Sequence, residues 1–130
     1  MKNTDEAKKN KATLMIVEDD RFLIKAYQIK FNNAGFNIIT AADGASGLEL
    51  ARKELPALII LDMMLPKMNG FEFLKAIKAD EKTKHIPVIV LSNLGQQTDR
   101  EKALSLGAAD YLVKTDYKLE EVIEKIKEHL

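Results

Sequence analysis

The chain has no cysteine and no tryptophan, and neither sign of charge is in surplus: twenty Lys and Arg balance twenty Asp and Glu in 130 residues. Without cysteine there are no disulfides, no thiolate zinc sites and no thiol catalysis. Without a basic excess nothing drives the chain onto nucleic acid or a membrane surface, and there is no polyacidic tail. No nucleic-acid and no membrane partner is therefore expected, and partners must be recognised by local surface. Long hydrophobic runs are missing too. The longest are strand-sized, far short of a bilayer span, and the amino terminus lacks the apolar core of a signal peptide, so a soluble cytoplasmic domain is expected. The length suits one domain that buries roughly two-thirds of the surface its unfolded form exposes.

What is present is a regular alternation. Residues 1–12 (MKNTDEAKKNKA) are polar and lysine-rich without apolar periodicity, and read as a mobile extension in front of one domain over 13–130. Four apolar runs read as strands covered on both faces: Leu14 to Val17, Leu58 to Leu61, Val88 to Leu91 and Tyr111 to Val113, with a weaker one at Phe36 to Thr40. Helical stripes lie between and after them, Leu23, Ala26, Tyr27, Phe31 and Ala34 forming one, and Leu119, Val122, Ile123, Ile126 and Leu130 another. Gly35 and Gly107 stand where helix ends favour a left-handed residue, and Asp43 is placed to cap a helix from Gly44 to Glu54. Five βα units of this kind predict an α/β fold, a flavodoxin-like (βα)5 doubly wound parallel sheet of strand order 2-1-3-4-5.

That order brings the carboxyl ends of strands one, three, four and five around one crevice. Those ends carry Glu18-Asp19-Asp20, Asp62, Ser92 and Lys114. Asp62 also opens a loop that Pro66 stiffens and Gly70 closes. Clustered carboxylates repel, which raises a carboxylate pKa unless a cation shares the site. Mg²⁺, a hard ion that takes oxygen ligands and keeps several waters, suits Glu18, Asp19 and Asp62 with a backbone carbonyl. Lys114 adds a compact positive charge and Ser92 a rotatable donor. Such parts make a phosphoryl-transfer site, where catalysis is mostly positioning and neutralisation, with Asp62 as nucleophile.

Taken in order, these motifs resemble a known family. Val17-Glu18-Asp19, the loop Leu61-Asp62-Met63-Met64-Leu65-Pro66 with Gly70, Val90-Leu91-Ser92, and Gly107-Ala108-Ala109-Asp110-Tyr111-Leu112-Val113-Lys114 match the receiver domain of two-component response regulators. The resemblance runs from about Thr13 to Leu130 and is to the single-domain form. It implies a stand-alone receiver in a phosphorelay: a histidine kinase or phosphotransfer protein donates a phosphoryl group from phosphohistidine to Asp62. Asp19 and Asp62 then coordinate Mg²⁺ directly, Glu18 through water, and Met64 by its backbone carbonyl. Lys114 pairs with the phosphoryl group, Ser92 moves toward it, and Tyr111 changes rotamer behind it. A surface of the fourth helix, fifth strand and fifth helix then changes its affinity for a downstream protein target, and the same surface could join two copies of the chain as a homodimer. The implied role is not that of an enzyme with a separate substrate; such a domain catalyses only its own phosphoryl transfer and autodephosphorylation.

Plainer roles compete at single positions. Asp20 reads as a helix cap rather than a ligand, Ser92 alone as a turn residue, Lys114 alone as a solvated charge, and Tyr111 as a packed aromatic. His85 and His129 read as surface residues without metal partners. Two departures from the family stand out: Thr115 replaces the usual proline after the strand-five lysine, and Asn93 replaces the usual small residue after the switch hydroxyl. Thr115 leaves the preceding peptide free to be trans, since a non-proline cis bond costs about 2.5–4 kcal/mol. In the family, side chains two positions after the acceptor and two after the hydroxyl overlook the path of hydrolytic water. Here these are Met64 and Leu94, neither of which orients water strongly, and Asn93 crowds the entrance, so a long-lived phosphoryl group is expected. Among other classes, an FMN carrier conflicts with the acids of the first loop, and a haloacid-dehalogenase-type hydrolase needs an acid where Met64 stands. A receiver-like interaction module that is never phosphorylated is the runner-up.

Overall fold

Leu14, Met15, Ile16 and Val17 are all fully buried, as a strand is only when helices cover both faces of its sheet. The computed structural model describes residues 11–130. The extension expected over 1–12 lies outside the described residues apart from Lys11 and Ala12; the Ala12 carbonyl accepts from Asn37 N at 2.9 Å.

The strands are β1 (Thr13–Val17), β2 (Asn37–Ala41), β3 (Leu58–Leu61), β4 (Val88–Ser92) and β5 (Asp110–Val113). The helices are α1 (Arg21–Asn33), α2 (Gly44–Glu54), α3 (Gly70–Ala79), α4 (Gln97–Ser105) and α5 (Leu119–Glu128). The sheet is parallel throughout, in the order β2-β1-β3-β4-β5 that the alternation predicts. Alternate strand residues serve opposite layers. Met15, Val17, Ile59, Leu61, Val88, Val90 and Tyr111 pack with Ala51 of α2, Phe73, Leu74 and Ile77 of α3, and Ala103 of α4. Leu14, Ile16, Leu58, Ile60, Ile89, Leu91 and Leu112 pack with Tyr27 and Phe31 of α1 and Val122, Ile123 and Ile126 of α5. The ion pair of Lys30 with Glu120, at 2.6 Å, joins α1 to α5 on that second face.

Helix ends follow local chemistry. Gly35 (φ +99°) and Gly107 (φ +106°) take the left-handed conformation expected of them. Phe36 N then reaches Phe31 O at 3.1 Å and Ala108 N reaches Ala103 O at 3.0 Å, the six-to-one bonds of Schellman ends with buried apolar pairs beneath. That use of Phe36 explains why β2 begins one residue later than its apolar run suggests. On α1 the stripe is narrower than expected: Tyr27 and Phe31 are buried, whereas Ala26 is exposed. Among the described residues no peptide is cis, so Lys114–Thr115 is trans, and residues 114–116 form a short 3₁₀ turn into α5. No described helix is long and apolar enough to cross a membrane.

Candidate functional site

Parallel pairing sets the strand ends level. Val17 pairs with both Ala41 and Leu61, and Ser92 with Val113. The ladder extends one residue further: Glu18 N donates to Ala41 O and Asp62 N to Val17 O, each at 3.0 Å. Glu18 and Asp62 therefore leave the sheet side by side and buried, while Asp19 is exposed. Carboxylate oxygens of Glu18, Asp19 and Asp62 lie within 4.8 Å of one another.

Glu18 is heavily committed. Its Oε2 accepts from Asp19 N at 3.0 Å and Asp20 N at 3.2 Å, and its Oε1 accepts from Lys114 Nζ at 2.8 Å. The same ammonium stands 3.9 Å from Asp62 Oδ2. Burial pushes the Glu18 carboxyl above its ordinary value and the charge of Asp62 adds to this, against the pull of Lys114. Asp20 does not join the cluster; its Oδ1 accepts from Phe22 N at 2.9 Å and Leu23 N at 3.2 Å, which makes it the cap of α1. All-oxygen carboxylate donors converging on one point suit a hard divalent cation.

The loop after Asp62 is short of room as well as of freedom. A Cβ on Gly70 would lie 2.5 Å from Met63 Cα, so only glycine lets the start of α3 sit against Met63, whose carbonyl accepts from Gly70 N at 2.9 Å. Asn69 caps α3, with Glu72 reaching back to the Asn69 N–H to complete a capping box. Lys67 is left-handed (φ +67°), and the Met64 side chain is exposed.

Ser92 is fully buried, and its Oγ accepts from Leu94 N at 3.3 Å. The carbonyl of Leu94 accepts from the Tyr111 hydroxyl at 2.6 Å. Tyr111 thus points inward, and burial raises its phenol above the ordinary value. Asn93 is exposed, whereas Leu94 packs half-buried against the core. His85 is exposed; His129 is half-buried, with Nε2 3.4 Å from Asp110 Oδ2. One participant had no sequence signal: Arg100 Nη1 of α4 donates to the Tyr111 carbonyl at 2.8 Å. A side chain bonded to a backbone oxygen leaves no motif.

Known proteins share this fold. Residues 14–127 match the family model of the response regulator receiver domain. The chain is 37% identical over 114 residues to the DNA-binding dual master transcriptional regulator RpaA of Synechocystis sp., covering 88% of this chain and 47% of that protein. It is 35% identical over 103 residues to the response regulator PleD of Caulobacter vibrioides, covering 79% of this chain and 23% of that one. The chain therefore spans less than half the length of these curated relatives. Among solved structures, the chemotaxis response regulator CheY4 of Vibrio cholerae superposes with a TM-score of 0.86 at 28% identity, covering 92% of this chain and 99% of that one. A sensor histidine kinase receiver domain from Pseudomonas aeruginosa, solved with a magnesium ion coordinated in its active-site cleft, gives a TM-score of 0.83 at 26% identity, covering 91% of this chain and 96% of that one.

Proposed function

The chain belongs to the response regulator receiver domain family, and from that membership we propose that Asp62 accepts a phosphoryl group from a phosphohistidine donor, with Mg²⁺, in two-component signalling. The observation that carries this reading is the buried Asp62 carboxylate grouped with Glu18 and Asp19 and flanked by the Lys114 ammonium. Asp19 and Asp62 would hold the metal directly, Glu18 through water, and Met64 by its backbone carbonyl. When bound, Mg²⁺ supplies the neutralisation that lets an anionic donor approach the acids.

The chain's own residues do the rest. An Asp62 carboxylate oxygen forms the bond to phosphorus as the N–P bond of the donor breaks. The electron pair of that bond returns to the donor's ring nitrogen, and the proton on the other ring nitrogen keeps the departing imidazole neutral. Lys114, held at 2.8 Å by Glu18 Oε1, turns its ammonium to donate a hydrogen bond to a phosphoryl oxygen and so neutralises its charge. The Ser92 hydroxyl, which accepts from Leu94 N, keeps its own proton available to donate to another phosphoryl oxygen. Drawing Ser92 forward disturbs Leu94, and through the Leu94 carbonyl it loosens Tyr111.

The donor in this reading is a histidine kinase or phosphotransfer protein in the cytoplasm, and the output is a changed affinity of the α4–β5–α5 face for a protein target or a second copy of the chain. Working as a stand-alone receiver is part of the same proposal. Acetyl phosphate with Mg²⁺ tests it: intact-mass spectrometry should show one phosphoryl mass on the wild type and none on Asp62→Asn. A wild-type chain that gains no mass would make this a receiver-like interaction module instead.

A further inference from the structure

The acceptor loop is held from outside the pocket. Asp62 N is fixed to β1 and Gly70 N to Met63, which is buried in the core; beyond it Met64, Pro66 and Lys67 are exposed, and the remaining inward packing falls to the half-buried Leu65 and Met68. Met68 lies directly on the first residue of α2. A Cβ on Gly44 would stand 2.8 Å from Met68 Cβ and 3.0 Å from the Met68 carbonyl oxygen, so the two backbones approach as closely as they do only because Gly44 has no side chain. The neighbouring residue adds a second tie: Asp43 Oδ2 is 3.7 Å from the Nζ of Lys67, the left-handed residue of the loop. Asp43 is itself fixed as the cap of α2, with Oδ1 accepting from Ser46 N at 2.8 Å and Oδ2 from Ser46 Oγ at 3.1 Å.

We propose that the β2–α2 corner, and Gly44 above all, is a positioning element for the acceptor loop, setting where the backbone of Met64 to Met68 stands relative to Asp62. The inference rests on the receiver reading for its functional consequence, though not for its geometry. The exposed Asp43–Lys67 pair contributes little by itself, because ion pairs at a surface are weak. The close backbone packing is what cannot be compensated. A methyl at residue 44 pushes Met68 and its carbonyl outward, since the obstacle includes backbone rather than a flexible side-chain tip. Metal and phosphoryl sites tolerate displacements of only about 0.5 Å. Gly44 touches neither metal nor phosphoryl group, so it acts through the loop.

Gly47 provides the control. It lies on the same helix, where a Cβ would meet Phe73 Cε2 at 3.0 Å and Val17 Cγ2 at 3.3 Å, side-chain atoms of the core rather than the loop backbone that Gly44 faces. Gly44→Ala should shift the amide resonances of residues 63–70 in the metal-free protein and weaken Mg²⁺ binding about tenfold, the scale of lost outer support around a metal. Phosphorylation by acetyl phosphate should slow in proportion. Gly47→Ala should lower thermal stability while leaving loop resonances and Mg²⁺ affinity near wild type. Adding Met68→Gly to Gly44→Ala removes the Met68 Cβ but leaves its carbonyl oxygen, so it should recover only part of the Mg²⁺ affinity. Unmoved loop resonances in Gly44→Ala, or equal disturbance by Gly47→Ala, would overturn the proposal. If the wild type binds no Mg²⁺, the metal assignment fails separately, and the metal-free resonances alone decide the role of Gly44.

Discussion

Arg100 and Tyr111 are joined by a 2.8 Å bond from the guanidinium to the backbone carbonyl, so the residue whose phenol reaches the loop before α4 is also gripped by α4 itself. The grip matters because α4 has little else. Ala103 is its single buried residue, and its amino terminus has no side-chain cap; Lys102 over the Phe71 ring, 4.5 Å from the centroid, adds a surface tie to α3. Removing the guanidinium with Arg100→Met should cost roughly 1 kcal/mol locally, a net hydrogen bond's worth. Amide hydrogen exchange in α4 should quicken about fivefold while α2 and α3 stay unchanged. Equal exchange in α4 of both proteins would show the bond to be incidental.

Asp62→Asn should do more than abolish phosphorylation. It removes a negative charge beside Glu18, whose carboxyl that charge helps to raise. The metal-free variant should be more stable than wild type by about 1 kcal/mol, or roughly 4 °C in Tm, in thermal unfolding at neutral pH.

The raised carboxyl of Glu18 has a pH consequence of definite sign. The folded chain holds this proton more tightly than the unfolded one, so its contribution to stability is complete below the ordinary value of 4.5 and is lost as pH rises through the higher folded value. Asp43 and Asp80 behave oppositely: both are held low chiefly by backbone N–H bonds, from Ser46 and Lys82, so their contribution is complete above the ordinary value of 3.8 and is lost as pH falls through the lower folded values. A proton on Glu18 would remove the charge that is to hold a metal-bound water, so Mg²⁺ affinity should weaken as pH falls toward the carboxyl's raised value. Calorimetric Mg²⁺ titrations across the mildly acidic range should show this in wild type and much less of it in Glu18→Gln.

Ser92→Ala should still accept a phosphoryl group but respond to it weakly. The buried hydroxyl is bonded to Leu94 N, and Leu94 O to Tyr111, so its loss breaks the chain of contacts at its first link. Phosphorylation should spread NMR shifts into α4 in wild type and confine them to the pocket in the variant. Equal spread in both would rule the hydroxyl out as the relay.

Lifetime of the phosphoryl group should respond to Met64. Its side chain is exposed beside the acceptor, so Met64→Asn can orient a water without disturbing the core and should speed autodephosphorylation severalfold under matched Mg²⁺, pH and temperature. Leu94 is less suitable for the same change, because it packs against the core, where a carboxylate would cost stability. An unchanged decay in Met64→Asn would dissociate this position from hydrolysis.

Legibility of the chain in sequence tracked how local each cause is. β1 and β3 are readable because Leu14 to Val17 and Leu58 to Leu61 are unbroken runs of buried apolar residues, and the Schellman glycines because their chemistry is confined to a few neighbours. β2 slipped by one because Phe36 is buried by closing α1 rather than by pairing. The acids and the lysine were visible as strand-end residues once the strand order was inferred. The pairing of Lys114 with Glu18 rather than more closely with Asp62 was not, since it depends on a difference of 1.1 Å between 3.9 and 2.8 Å. Gly44 against Met68 and Arg100 on Tyr111 are tertiary contacts with backbone, which no spacing records.

Adjacent residues of β5 belong to different halves of the molecule: Tyr111 to the layer with α2, α3 and α4, Leu112 to the layer with α1 and α5. The strand is thus a partition wall. Under the proposed switch, a rearrangement that begins at Tyr111 would fall first on the α4 side, while α1 and α5 share Leu112 across the sheet. A partner spanning α4, β5 and α5 would touch elements of both layers at once, and so would register a change in one layer against the other.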